Sequence, residues 1–344
     1  MTSLLAPAYE LTLGSTLWTS QVAALRVSLN RAPLVDTLSV RLPASAVLDA
    51  QVGDPVSLVL DSGEQRDTVF SGAIDSIRRG FDMIRVGALN AGGALARYRP
   101  AVTYEQISAG TVVRNLAGDA GAGAGDVADG VTLAFYVADP SRTAWEHVAR
   151  VAGWSGALAR VSSDNQIEVS VLDATQAELA LLHGRELISI DAQRVDSALD
   201  SWVIAGEGGA GDSSAPEALR PSTDFFAGNR PSGPGLRDRW RFEPALRTAS
   251  AAGTASAALR RQYTASREPG RLQAFLQPKL RAGTVFEIQE LPDALVGGPV
   301  WAAGVDHVLH EAGARTSVRF YKGGDAFDPA ALLGSLAGAL GGLL

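Results

Sequence analysis

Three glycines and two histidines are the residues whose spacing could do chemistry. In "SWVIAGEGGAG" (Ser201 to Gly211) an apolar run ends in Gly206, Gly208 and Gly211, the G-x-G-x-x-G spacing of dinucleotide-binding enzymes. That pattern acts only where the glycines leave a strand, admit a pyrophosphate and open a helix whose N-terminus faces it. Here the next residues carry Pro216, Pro221, Pro231 and Pro234, which leave no room for a long helix and its return to a parallel strand. The expectation is a strand that empties into an exposed loop, with no cofactor.

His307 and His310, in "VDHVLHE", sit among alternating apolar residues that read as a strand, and at that spacing they face opposite sides of a sheet. A metal site using both is not expected; surface or barrel-rim histidines are. The chain has no cysteine, so a disulfide, a thiolate ligand and a thiol nucleophile are all excluded. No H-E-x-x-H, G-x-S-x-G, S-x-x-K or phosphate-loop pattern occurs, and no acid/base pair stands out. The catalytic, cofactor-binding and metal-ligating sets are therefore expected to be empty, and the protein is not expected to be an enzyme.

Composition fits this. The 344 residues are 46% hydrophobic and 19% charged, enough for about two globular domains, and the net charge of −7 comes without a long single-sign block. Such a surface does not grip phosphates, so stably bound nucleic acid is not expected. The N-terminus lacks the basic and apolar regions of a secretory signal, which makes the bacterial cytoplasm the expected place of assembly. The apolar stretch Asp328 to Leu344 is shorter than a membrane-spanning helix needs, so no stable membrane insertion is expected. With Asp328 as cap and Pro329 in the first turn it reads as a terminal helix. Its Leu332, Leu333, Leu336 and Leu340 call for a partner surface to bury them.

The elements that must carry these residues are mostly strands. Residues 9–30 and 36–42 alternate apolar and polar; three further strands follow, joined by turns at Asp61-Ser62-Gly63 and Arg79-Gly80. Helical spacing then appears at Val112, Val113 and Leu116, and again at Trp145, Val148 and Ala149, before a hairpin at Ser163-Asp164-Asn165. Strands resume near 186, an alanine-rich helix is expected near 245–265, and strands close the pattern.

The most informative feature is an internal repeat. "VFSGAIDSI" (Val69 to Ile77) matches "VWAAGVDHV" (Val300 to Val308) in order: valine, aromatic, three small residues, β-branched, Asp, polar, β-branched. Gly53 and Gly283 each open a strand upstream of their copy, and another strand follows each copy. The match predicts a repeated hairpin module with Phe70, Ile74 and Ile77 in one core and Trp301, Val305 and Val308 in the other.

This order of elements resembles the tail hub family of contractile bacteriophages and related injection systems, the family of the late control D protein. The likeness runs through "VFSGAIDSI", "ISAGTVVRNLAGDAG", "TAWEHVARVAGWSGALARVSSDNQIEV" and "GPVWAAGVDHVLHEAGARTSVRF". It implies an α+β, mainly β chain with two similar antiparallel β-barrel domains and a helix-containing intermediate domain. The expected boundaries are 1–92 for the first barrel, 93–165 for the intermediate domain, 166–324 for the second barrel, interrupted at about 207–268, and 325–344 for the tail. It further implies a homotrimer in a virion or phage-like particle, bound to the tail tube protein, a separate spike protein and other baseplate proteins, with DNA only in transit through a channel. Two alternatives stay open at this level: a carbohydrate-binding β module and a tail-associated cell-wall hydrolase.

Overall fold

The computed structural model describes residues 7–193, 201–206, 222–223, 238–266, 268–291, 296 and 298–322. The chain begins with β1 (Ala8–Leu13), β2 (Thr16–Trp18), β3 (Ala24–Asn30), β4 (Thr37–Pro43), β5 (Pro55–Asp61), β6 (Arg66–Arg79) and β7 (Met83–Leu89). Apolar residues alternate with polar ones along β4 and β5, so one face of the sheet is buried: Leu38, Val40 and Leu42 on β4, and Val56, Leu58 and Leu60 on β5. The turns read from Asp61-Ser62-Gly63 and Arg79-Gly80 fall between β5, β6 and β7 as expected.

A helical layer follows. It contains α1 (Ala91–Arg97), β8 (Val102–Ser108), α2 (Ala109–Asp119), β9 (Gly123–Val127), β10 (Thr132–Ala138), α3 (Ala144–Trp154), β11 (Ala157–Val161) and β12 (Gln166–Val171). Both longer helices start where a hydroxyl caps them. Ser108 accepts from the Thr111 amide, and Thr143 and Glu146 cap each other's backbone in a capping box. Val112, Val113 and Leu116 of α2 and Trp145 and Val148 of α3 are buried in one core, as their spacing predicts. The hairpin of β11 and β12 pairs with β9, so β12, expected to open the second barrel, lies in the sheet of the helical layer.

The remaining elements are β13 (Leu179–Leu182), β14 (Leu187–Ala192), β15 (Ser201–Gly206), β16 (Ser222–Thr223), β17 (Asp238–Phe242), α4 (Ala249–Ala265), β18 (Pro269–Phe275), β19 (Val285–Gln289), β20 (Val300–His310) and β21 (Gly313–Lys322). Six of them join the large sheet, five in the order β14-β18-β21-β20-β19 and β13 as a parallel neighbour of β19. Five strands of the first part stand in the order β3-β4-β7-β6-β5. All neighbours within these two sets of five are antiparallel. Among the described residues the chain is thus mainly β, with largely antiparallel sheets and four helices. No closed barrel is found among the described strands: β20 also pairs with β3, and the two sets form one continuous open sheet over one shared core.

Candidate assembly interface

The repeated hairpin is anchored by a glycine in each copy. Gly53 (φ 98°) donates its amide to the Ile74 carbonyl at 2.8 Å, and the Ile74 amide donates back to Asp54 at 2.9 Å. Gly283 (φ 90°) donates to the Ala302 carbonyl at 2.7 Å, and the Ala302 amide donates back to Thr284 at 2.9 Å. One residue later both long strands carry a bulge. Asp75 is the extra residue between Ile74 and Ser76 opposite β7, and Ala303 is the extra residue between Ala302 and Gly304 opposite β21.

These bonds correct the register read from sequence. The match placed Ile74 with Val305, whereas hydrogen bonds and bulge place it with Ala302, three residues earlier. An odd displacement exchanges the faces of a strand, and the burial shows the result. Phe70, Ile74 and Val305 lie in the large core, with Ile77 partly buried against it. Trp301 is buried instead in a small separate cluster with Leu158, Ala174 and Val285, where Arg31 stacks over its ring at 5.4 Å. Val308 is half-buried. The repeat survives because volume is exchanged between strands: Leu38, Ile74 and Ala88 of the first set correspond to Gly270, Ala302 and Phe320 of the second.

The two sets meet edge to edge. Strand β20 runs antiparallel to β3 from Gly304 opposite Asn30 to His310 opposite Ala24. Across that ladder the Arg26 guanidinium pairs with the Asp306 carboxylate at 3.0 Å, and the Ser28 hydroxyl donates to the same oxygen. Arg319 donates to the Asn30 side-chain oxygen at 2.8 Å, and Arg281 pairs with Asp67 at 3.1 Å. Below the seam Asp36 accepts from the Asn30 amide and, at 2.7 Å, from the side chain of Asn90, the cap of α1. Burial pushes the Asp36 carboxyl up to about 7, a rise that its hydrogen bonds and the nearby Arg281 only partly oppose.

The histidines divide as their spacing requires, His310 to the surface as expected and His307, contrary to expectation, into the core. His307 is fully buried, with Nδ1 at 2.9 Å from the Thr316 hydroxyl and Nε2 at 3.1 Å from the Leu280 carbonyl. A carbonyl only accepts, so Nε2 carries the proton and Nδ1 accepts from Thr316. Burial holds the ring down at about 4. His310 sits at the hairpin end, where its Nδ1 accepts from the Ala312 amide at 3.0 Å. Among the described residues no group of His, Asp or Glu is placed to hold a metal ion, and no helix is long and apolar enough to cross a membrane. Of the glycine pattern, Gly206 ends β15; Gly208 and Gly211 lie outside the described residues, as do Leu332, Leu333, Leu336 and Leu340. A parallel neighbour for β15 does exist, contrary to the sequence reading: β17 pairs with it from Ser201 opposite Asp238.

No family model and no curated protein matches this sequence. Solved structures do, along nearly its whole length. A tail protein from Neisseria meningitidis MC58 is 12% identical, with a TM-score of 0.70 over 92% of this chain and 96% of that one. The 43 kDa tail protein of prophage MuSo2 from Shewanella oneidensis is 13% identical, with a TM-score of 0.66 over 94% and 100%. The E. coli c3393 protein, described as a type VI secretion component with structural similarity to T4 tail proteins gp27 and gp5, is 9% identical, with a TM-score of 0.63 over 92% and 78%. The chain therefore has the fold of phage tail and baseplate-like injection proteins, in agreement with the resemblance read from sequence.

Proposed function

We propose that this chain is the central hub of a contractile phage tail or a phage-like injection particle, acting as a homotrimer that joins the sixfold tail tube to a threefold spike. The observation that carries this reading is the pair of five-stranded sets with one strand order in a single chain. Three copies supply six similar units, enough for a pseudo-sixfold face toward the tube, while the rest of the assembly keeps true threefold symmetry toward the spike. The two sets serve as the barrel-like units of such a ring. Binding of this kind needs no catalytic group, and the fold neighbours are described as tail and secretion components.

The partners are a tube protein, a separate spike protein and other baseplate proteins, in the tail of the particle. DNA passes through without being held, which suits a chain of net charge −7. The apolar segment 328–344 is the part proposed to hold the spike or another component on the threefold axis. The test is co-expression with the tube and spike proteins of the same particle, followed by mass measurement and electron microscopy. Threefold density for this chain between tube and spike is expected; density elsewhere, or no complex with either protein, overturns the reading.

A further inference from the structure

Helices α3 and α4, the start of β20 and the end of β21 enclose a cleft of about 700 Å³, which adjoins a smaller one of about 280 Å³; Arg31, Leu259, Gln262 and Trp301 line both. Ala255, Ala258 and Leu259 of α4, with Leu158 and Trp301 from the strands, make the lining largely apolar. Two cations stand in it with no carboxylate paired to them among the described residues. Arg31 lies over the Trp301 ring at 5.4 Å, and Arg261 packs on Gly156, where its Nη2 is 2.5 Å from the place a Cβ would take. The other cations of the cleft are matched: Arg150 and Arg241 both pair with Glu243, at 2.5 and 2.7 Å, and Lys322 pairs with Glu268 at 3.2 Å. Burial also depresses the Arg31 guanidinium below its ordinary value, as it does for a cation drawn from water without a matching charge.

We propose that this cleft receives the chain's own segment 325–327, which lies outside the described residues, with the Asp325 carboxylate between Arg31 and Arg261 and the Phe327 ring on the apolar lining. Position supports this occupant. Strand β21 ends at Lys322, which lines the larger cavity, and Tyr321, which lines the smaller, meets Trp301 at 5.1 Å between ring centroids. Asp325 follows Lys322 by three residues, about 10 Å of extended chain, and Gly323 and Gly324 let the backbone turn sharply back. Charge supports it as well: "GGDAFD" carries acids and an aromatic ring but no cation. A small inorganic anion would match the arginines and leave the apolar lining bare, whereas Asp-x-Phe covers both. A guanidinium–carboxylate pair partly shut from water also gains more than the same pair on an open surface.

The inference does not depend on the hub reading; it sets where residues 328–344 leave the folded body. The test is amide exchange on the intact chain. Residues 325–327 are expected to exchange at least about tenfold more slowly than in a free peptide of residues 319–331, and Asp325→Lys to abolish that protection while α4 and β20 keep theirs. The exchange of signs, Arg261→Glu with Asp325→Lys, should recover part of it. Because the chain has no cysteine, Gln262→Cys with Ala326→Cys adds a second arm: a short bismaleimide should link them within one chain, at least about tenfold more slowly once Asp325→Lys is added. Exchange as fast as in the free peptide, or protection and linking indifferent to Asp325→Lys, overturns the docking. Links that form between chains instead assign the cleft to a second copy and overturn docking within one chain.

Discussion

Gly270 and Phe320 share one space: a Cβ on Gly270 would lie 2.1 Å from the tip of the Phe320 ring. In the first set the same pair of positions is filled by Leu38 and Ala88, so the larger side chain stands on opposite members of the pair in the two sets. Gly270→Ala should therefore destabilise the chain by ~1–3 kcal/mol through overpacking. Phe320→Leu in the same chain should recover part of that loss, a coupling that a double-mutant cycle in chemical denaturation reads directly. Additive effects would show that the ring can move aside.

Gly53 and Gly283 should respond alike to substitution. Both hold a positive φ, and an added Cβ meets nothing within 4 Å at Gly53 and only the side chains of Arg160, at 3.3 Å, and Leu158, at 3.5 Å, at Gly283. Backbone strain then decides the cost, and each change to alanine should lower stability by ~1–2 kcal/mol. A thermal melt of each variant checks this; unequal losses would break the equivalence of the two hairpins.

His307 makes stability depend on pH. Its folded value, about 4, lies below the ordinary 6.5, so the unfolded chain binds the extra proton between those limits. Its contribution is complete above about 6.5 and is lost as the pH falls toward 4, by roughly 3 kcal/mol in all. His307→Gln should remove that slope from denaturation curves taken at successive pH values.

Asp36 acts in the opposite sense. Its folded value of about 7 lies above the ordinary 3.8, so the folded chain holds the extra proton. That contribution is complete below about 3.8 and is lost as the pH rises through 7. Asp36→Asn should be relatively better tolerated at pH 8 than at pH 4, measured against the wild type at each pH.

Thr143 and Glu146 start α3, the helix that puts Trp145 against the Leu34 carbonyl at 3.0 Å. Thr143→Ala should cost ~1 kcal/mol, and a serine at that position should retain most of it.

Much of this architecture could be read from sequence because it is local. Alternation places β4, β5 and β7, Asp61-Ser62-Gly63 turns the chain, and helical spacing around Leu116 and Val148 finds α2 and α3. What escaped was whatever depends on residues far apart in the chain. The bulges at Asp75 and Ala303 leave no mark in composition, and the exchange of large for small residues made a slipped match read better than the true register. The burial of His307 needs Thr316 and the Leu280 carbonyl, neither of which announces itself beside it. The β3–β20 seam joins strands separated by almost the whole chain, so no window of sequence contains both sides.

That seam has a consequence during synthesis. Strand β3 ends at Asn30 and β20 begins only at Val300. At about 5–20 residues per second, the ribosome delivers the second edge roughly 15–50 s after the first has emerged. For that interval the nascent chain displays β3 with only its β4 side paired, next to its neighbours on the same message, all bearing the identical open edge. Ribosome spacing and chaperone occupancy over that window, more than the stability of the finished protein, then govern the yield of correctly joined chains.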